Sequence, residues 1–469
     1  MTQSRKHSKI LHKEGISMAK RTHTIDMCNG PIFSKMLIYA FPLMLSSILQ
    51  LLFNAADMVV AGRFVGSEAL AAVGATGPLI NLLVGVFTGL SVGTDVLVAR
   101  YIGAQDPKNI SESVHTSIAA SLLFGCFLLV AGLIAAKPLL VIMGTPDDVM
   151  AGAVAYTRIY FLGMPASMLY NFGAAVLRAM GDTKRSMYFL TIAGVINVIL
   201  NIFFIVALHL DVVGVALATV ISQTVSAVLV VICLIRAEGP CQLHLKLLKI
   251  HKDKLVGIAK IGLPAGIESA IYSFSNIIIQ SSINSFGSLA MAGNTAAANI
   301  ESFVSVAGAA FYQAGLSFTS QNIGAKRYSR INRIVLHTTI LSTGTRLLLG
   351  GLTMVFGRQL LGIYVTDAFA IEHGLIRMSM CTLLNFFCGF MNGSTAFLRG
   401  MGYSLLPTFI TVLSVCGLRI VWLFTAFPAN PVPLMLYVCY PMTWAAATIG
   451  LVICFFIVRR KAPKTDQPA

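Results

Sequence analysis

Leu177-Arg178-Ala179-Met180-Gly181 in the first half of the chain returns as Leu398-Arg399-Gly400-Met401-Gly402 in the second, 221 residues later. Ile102-Gly103-Ala104 returns at the same offset as Ile323-Gly324-Ala325, Gly66-Ser67 returns as Gly287-Ser288, and Asn171 falls on Asn392. Pro42 and Pro264 are 222 apart, so one residue was gained or lost between Pro42 and Gly66. Chance supplies one such match, not a series of them in order. The chain is an internal duplication.

What is duplicated is a set of apolar runs. Of 469 residues, 56% are apolar and 11% charged, against about 25% charged in an ordinary soluble domain. A bilayer core of ~30 Å takes about 20 apolar residues per helix. Twelve runs meet that length: 35–62, 69–100, 115–137, 151–178, 187–208, 213–235, 258–285, 290–322, 335–357, 375–400, 405–428 and 434–458. Six runs per repeat, an even number, make both halves enter and leave on the same side. The expected fold is therefore an all-α integral membrane protein, with two six-helix bundles related by a pseudo-two-fold axis along the membrane normal and a cavity between them. The domain reading is a disordered basic tail (1–34), a first lobe (35–235), a linker (236–257), a second lobe (258–458) and a second tail (459–469).

The formal charge of +16 would suggest nucleic acid in a soluble protein. Here 27 of the 34 Lys and Arg fall in tails and loops on one side of the twelve runs. That asymmetry places both termini in the cytoplasm, with the chain in the plasma (inner) membrane. It also accounts for the basic balance without nucleic acid. Residues 1–34 contain no apolar segment before a cleavage site. The nine cysteines have no CxxC spacing and read as small buried hydrophobes.

Charges inside a bilayer are costly, so those that occur face a cavity or a partner. Four acids lie within runs: Asp57, Asp95, Glu268 and Glu301; the deep bases are Arg346 and Arg419. The second half can pair its acids and bases internally, so Glu268 and Glu301 read either as cation sites or, Glu301 the more so, as structural partners of arginine. Asp95, close to Arg100, reads as a snorkelling or salt-bridged residue near the inner interface. Asp57 has no deep base in its half. It shares a helix face with Gln50 and Asn54, and Asn54 maps onto Asn276. An unpaired carboxylate in low dielectric takes up a proton or a metal cation. The alternative is a helix-end carboxylate bonded to water or Arg63.

Pro42, then Asp57-Met-Val-Val-Ala-Gly-Arg-Phe-Val-Gly66, then Gly93 to Gly103-Ala-Gln-Asp106, resembles the first helix pair of the multidrug and toxin extrusion (MATE) transporters. Leu177-Arg178-Ala-Met-Gly-Asp182, Asn197-Val-Ile-Leu-Asn201 and the second Arg-x-x-Gly at Arg399–Gly402 agree with it. The resemblance implies a cation site of Asp57, Asn197, Asn201 and Thr219. Asn201 departs from the family pattern, which often has an acid there. One carboxylate fewer weakens Na⁺ binding and leaves a proton on Asp57 as the simpler coupling mode. Interhelical hydrogen bonding is the alternative role of Asn197 and Asn201.

The expectation is a monomeric antiporter, coupled to H⁺ or Na⁺, that exports bulky cationic amphipathic compounds through a cavity lined by apolar, Met- or Phe-bearing helices. Gln50, Asn54, Glu268, Asn276 and Glu301 are the further candidates for cavity or coupling. A flippase for lipid-linked saccharides of the same superfamily is the alternative, and would need a cavity rich in Arg or Lys. A membrane-embedded enzyme is disfavoured: there is no HExxH and no GxxxxGK[ST], and no GxSxG has a plausible acid and base. No cofactor and no structural metal are expected.

Overall fold

The computed structural model describes residues 24–463 and 465–467; within them there are helices and connections and no strand. The principal helices are α1 (Ile32–Val60), α2 (Ser67–Gly103), α3 (Pro107–Ile142), α4 (Asp147–Leu162), α5 (Met164–Ala179), α6 (Thr183–Ile202), α7 (Asp211–Ile235), α8 (Lys252–Asn284), α9 (Ser288–Gly324), α10 (Ile331–Val355), α11 (Ala368–Arg377), α12 (Phe387–Gly400), α13 (Leu405–Thr411), α14 (Leu418–Phe424) and α15 (Pro433–Lys461). Their starts follow from local chemistry. Asp106, Asp182 and Asp367 each accept from a backbone amide three residues on, at Asn109, Arg185 and Ala370, which satisfies one of the free donors of a first turn.

Twelve helical passages occupy the twelve runs, but they are not equally apolar. Among the described residues, nine are long and apolar enough to cross a bilayer, and a tenth is the α4–α5 pair, bent by 48°. Helices α9 and α10 do not meet that measure because they carry Asn294, Glu301, Gln313, Asn322 and Arg346. Those side chains bond within the bundle rather than face lipid.

The duplication is visible as reciprocal contact. A Cβ on Gly103 would lie 1.9 Å from the Gln321 carbonyl oxygen and 3.0 Å from Ala325 N; one on Gly324 would lie 1.9 Å from the Arg100 carbonyl oxygen and 3.0 Å from Ala104 N. Each residue in the first set is 221 from its counterpart in the second. Arg100 Nη2 donates to the Gly400 carbonyl at 2.9 Å, and its counterpart Gln321 Nε2 donates to the Ala179 carbonyl at 2.7 Å. Such i-to-j and j-to-i pairing is what a two-fold axis requires of a contact. The repeated motif has a backbone reason as well: Gly181 and Gly402 have φ of 87° and 94°, a region where only glycine is unstrained.

The two halves meet along two seams that are not equivalent. On one, α2 packs on α8 through Gly89, Gly93, Gly262 and Gly266; a Cβ at any of them would come within 2.5 Å of the opposing backbone. Such small-xxx-small spacing permits close helix approach. On the other, α1 faces α9, and the counterparts of those glycines are Ala310, Ala314, Ala40 and Met44. Side chains there hold the helices apart. A cavity of about 410 Å³ opens on this second seam.

The tails differ from expectation. Residues 1–23 lie outside the described residues, but 24–31 are packed rather than disordered. Met27 is fully buried, Ile25 N donates to the Gly181 carbonyl, and Asn322 Nδ2 donates to the Met27 carbonyl. The burial of Met27 with Ile32 and Met36 supplies the apolar contact that orders the segment. At the other end, Ser329 N and Oγ donate to Asp466 at 2.8 and 2.9 Å.

Candidate functional site

Asp57 stands one turn before a π-helical turn, Ala61–Val65, that continues α1; Asn201 stands just before another, Phe203–Ala207, that continues α6. Such turns widen a helix and free backbone groups, and they occur often at functional sites. The two helices pack together. Asn201 Nδ2 donates to Asp57 Oδ1 at 2.5 Å and to Asn197 Oδ1 at 3.3 Å. Asn197 and Asn201 are buried and Asp57 is half-buried. Asn201 Oδ1 is buried with no partner. Three oxygen-bearing side chains from two helices thus converge, with a carboxylate that meets no base within 4 Å among the described residues. The arrangement can hold a proton on Asp57, or a hard cation through carboxylate and amide oxygens.

Thr219 is not joined to this group by any hydrogen bond; its hydroxyl donates to the Val215 carbonyl at 3.0 Å, one turn back in α7. Gln50 is exposed and lines the cavity, and Asn54 is exposed one turn further on. Among the described residues, no cluster of three or more His, Cys, Asp or Glu forms a metal site.

Glu268 and Glu301 are paired, but not with the arginines anticipated. Glu268 accepts from Arg399 Nη2 at 2.6 Å and from Thr408 Oγ1 at 2.8 Å, while Arg399 also reaches the Tyr312 hydroxyl at 2.7 Å. Glu301 accepts from Arg377 Nη2 at 2.7 Å, and Arg377 donates to Asn294 Oδ1 as well. Arg399 stands near the end of a run, where a base can turn out to water. Its side chain instead turns inward and is buried. Among the described residues, neither Arg346 nor Arg419 has a carboxylate within 4 Å. Arg346 donates to Asn385 and to the Ser305 carbonyl. Arg419 donates to Asn276 Oδ1 at 3.2 Å and lies 4.3 Å from the Tyr440 ring centre and 5.2 Å from that of Tyr272. Amide oxygens and aromatic faces take the place of an acid there. Asn276 is therefore a partner of arginine and not part of a polar wall mirroring Gln50 and Asn54.

Asp95 does not snorkel. It is fully buried at the meeting of the halves, with Arg178 Nε at 3.5 Å, Ser317 Oγ at 3.0 Å and Gln313 as a further donor. Tyr39 joins this group by donating to Ser317 Oγ at 2.8 Å. Arg178 and Gln313 form the floor of the cavity. Its walls bring Ser46, Gln50, Asn171 and Gln223 from the first half against Val306, Ala309 and Tyr312 from the second. Among the described residues that line it there is no Met or Phe side chain, although the helices around it bear both.

The MatE family model matches this chain twice, over residues 42–203 and 264–425. The chain belongs to the MATE family of transporters. It is 28% identical over 432 residues to the probable multidrug resistance protein YoeA of Bacillus subtilis (strain 168), covering 89% of this chain and 92% of that protein. It is 24% identical to the multidrug export protein MepA of Staphylococcus aureus (strain NCTC 8325 / PS 47), covering 82% and 85% respectively. A crystal structure of a MATE protein in complex with MaL6 superimposes with a TM-score of 0.85 at 22% identity, covering 93% of this chain and 99% of that one. The two matched segments start and end 222 residues apart, the same shift as Pro42 to Pro264. The protein is thus a multi-pass membrane transporter with two repeated halves.

Proposed function

We propose that this MATE transporter exports small amphipathic organic cations from the cell, driven by H⁺ or Na⁺ moving inward through Asp57. One observation carries the reading. Of the four acids within the apolar runs, Asp95, Glu268 and Glu301 each face an arginine, and Asp57 alone faces only amides. An acid already neutralised by a fixed guanidinium has no charge to exchange; one held by Asn201 changes its charge whenever an ion arrives or leaves. Ion and cargo that favour opposite-facing states are then coupled through that equilibrium. The orphaned Asn201 oxygen suits Na⁺ as a ligand, but the single carboxylate gives a proton the simpler role.

Multidrug relatives and a roughly 410 Å³ cavity of mixed polar and apolar lining shared by both halves fit cargo of varied shape. A flippase for phosphate-bearing lipids would call for several free bases in the cavity; the single arginine on its wall, Arg178, is held by Asp95. The same reading places the chain in the plasma membrane as a monomer with both tails in the cytoplasm, and its residues 35–235 and 258–458 as two lobes. The test is efflux of a fluorescent organic cation from vesicles under pH and Na⁺ gradients applied separately. Efflux under one gradient supports the proposal; equal efflux under neither and both contradicts it.

A further inference from the structure

At the tail end of the molecule a second cavity, of about 400 Å³, lies between the start of α1 and the start of α10. Its wall carries Arg330, Arg333 and His337 together with Ser329, the Gly30–Pro31 backbone and Phe33. No acid is on that wall. The acids nearby take their hydrogen bonds elsewhere, Asp466 from Ser329 and Asp26 from the Cys28 and Asn29 amides, although the charge of both also reaches Arg330. Arg330 spends one nitrogen on the Gly30 carbonyl at 3.0 Å, leaving its Nε without a partner. Burial, with Arg327 and Arg333 close by, holds Arg330 below its ordinary pKa. Arg333 is exposed and makes no hydrogen bond or ion pair within the described residues. His337 Nδ1 is buried without a partner, while its ring meets Phe33 edge-on at 5.6 Å. Unused donors and positive charge are therefore gathered in one concave place.

Directly beyond it the surface becomes apolar. Phe33 and Leu37 on α1, and Leu336 and Ile340 on α10, are exposed one turn apart, in the direction in which both helices enter the bilayer. A molecule that fills the cavity with a phosphate ester and lays chains over those four side chains satisfies both surfaces at once. Basic pockets between helices at a membrane surface recognise headgroups of this kind.

We propose that the Arg330–Arg333–His337 cavity seats the phosphate of an anionic phospholipid, whose acyl chains lie along Phe33, Leu37, Leu336 and Ile340. The site belongs to the tail end and does not depend on which ion or cargo the central cavity takes. In binding it, the lipid joins the start of α1 to the start of α10, the first-half helix to the second.

The test uses the full-length protein in neutral detergent, titrated with fluorescent phosphatidylglycerol and, separately, phosphatidylcholine. Saturable binding of phosphatidylglycerol is expected, at least tenfold tighter than phosphatidylcholine. The pair Arg333→Gln with His337→Gln is expected to weaken it tenfold or more, while the exposed pair Lys184→Gln with Lys252→Gln leaves it unchanged. If the first pair lowers the melting temperature, Arg333→Gln alone, at an unbonded exposed position, is expected to weaken binding threefold or more. Glycerol phosphate at the lipid's own concentration is expected not to compete. Binding unaffected by Arg333→Gln, equal loss from the lysine pair, or displacement by glycerol phosphate each overturn the proposal; the last would make the ligand a soluble phosphate.

Discussion

Asp57 and Glu268 are both acids on the opening helix of a repeat, yet their neighbours differ in charge. Asp57 meets the Asn201 amide; Glu268 meets Arg399 and Thr408. Glu268→Gln leaves Arg399 buried without its counter-charge, and breaking a buried pair costs about 3–5 kcal/mol. The expected outcome is a lower melting temperature and less protein in the membrane; a variant as stable as wild type would show that Tyr312 and Thr408 suffice for Arg399. Asn201→Asp adds a second carboxylate beside Asp57. Ligand charge sets affinity for hard cations, so an apparent Na⁺ affinity roughly tenfold higher, about 1.4 kcal/mol, is expected from Na⁺-dependent efflux. No response to Na⁺ would remove Asn201 from the ion's surroundings. Asn197 and Asn201 were legible as a pair from their i, i+4 spacing within one helix; that Asp57, on another helix, joins them came from the family resemblance. The partners of Glu268 and Glu301 were not, since Arg399 and Arg377 come from helices more than 70 residues away, and a base near the end of a run looks the same whether it turns out to water or inward.

At the scale of elements, glycine placement decides which helices touch. Gly103→Ala would put a methyl 1.9 Å from the Gln321 carbonyl oxygen, whereas a Cβ on Gly344 meets nothing within 4 Å. Overpacking of this kind costs about 1–3 kcal/mol, while Ala replaces Gly in a helix with a gain of about 1 kcal/mol. Thermal unfolding in detergent is therefore expected to fall for Gly103→Ala and to hold or rise for Gly344→Ala. Equal melting temperatures would show that the seam yields freely. The repeat itself was readable from the recurrence of Gly103 at Gly324 and Gly181 at Gly402. The unequal seams were not read, although Gly89 and Gly93 against Ala310 and Ala314 were in plain view. Offset matching looks for what recurs, and the cavity arises where the small residue does not.

The whole molecule is shut at its tail end by three layers: the Gly103–Gly324 contact, the reciprocal bonds of Arg100 and Gln321, and above them the buried group of Asp95, Arg178, Gln313 and Ser317. A carrier that alternates has to break all three. Asp95→Asn removes the one full charge that Arg178 faces in this seam. Local opening governs amide exchange, so hydrogen exchange across residues 99–106 and 320–327 is expected to rise tenfold or more in that variant. Unchanged exchange would assign the seal to helix packing alone. None of this could be read from Asp95 by itself, which stands so near Arg100 in sequence that Arg178, its partner in the same half, and Gln313 and Ser317 across the axis are hidden.

The central claim is that Asp57 exchanges an ion for cargo, and vesicles loaded with a pH-sensitive dye test it most directly. Adding an organic cation to wild-type protein under each imposed gradient should move protons, or Na⁺ in the matching sodium assay, in step with cargo. Asp57→Asn should end that coupled movement while the protein remains folded in the membrane. Coupled movement of the same size in Asp57→Asn would contradict the account and put the exchangeable charge elsewhere in the chain.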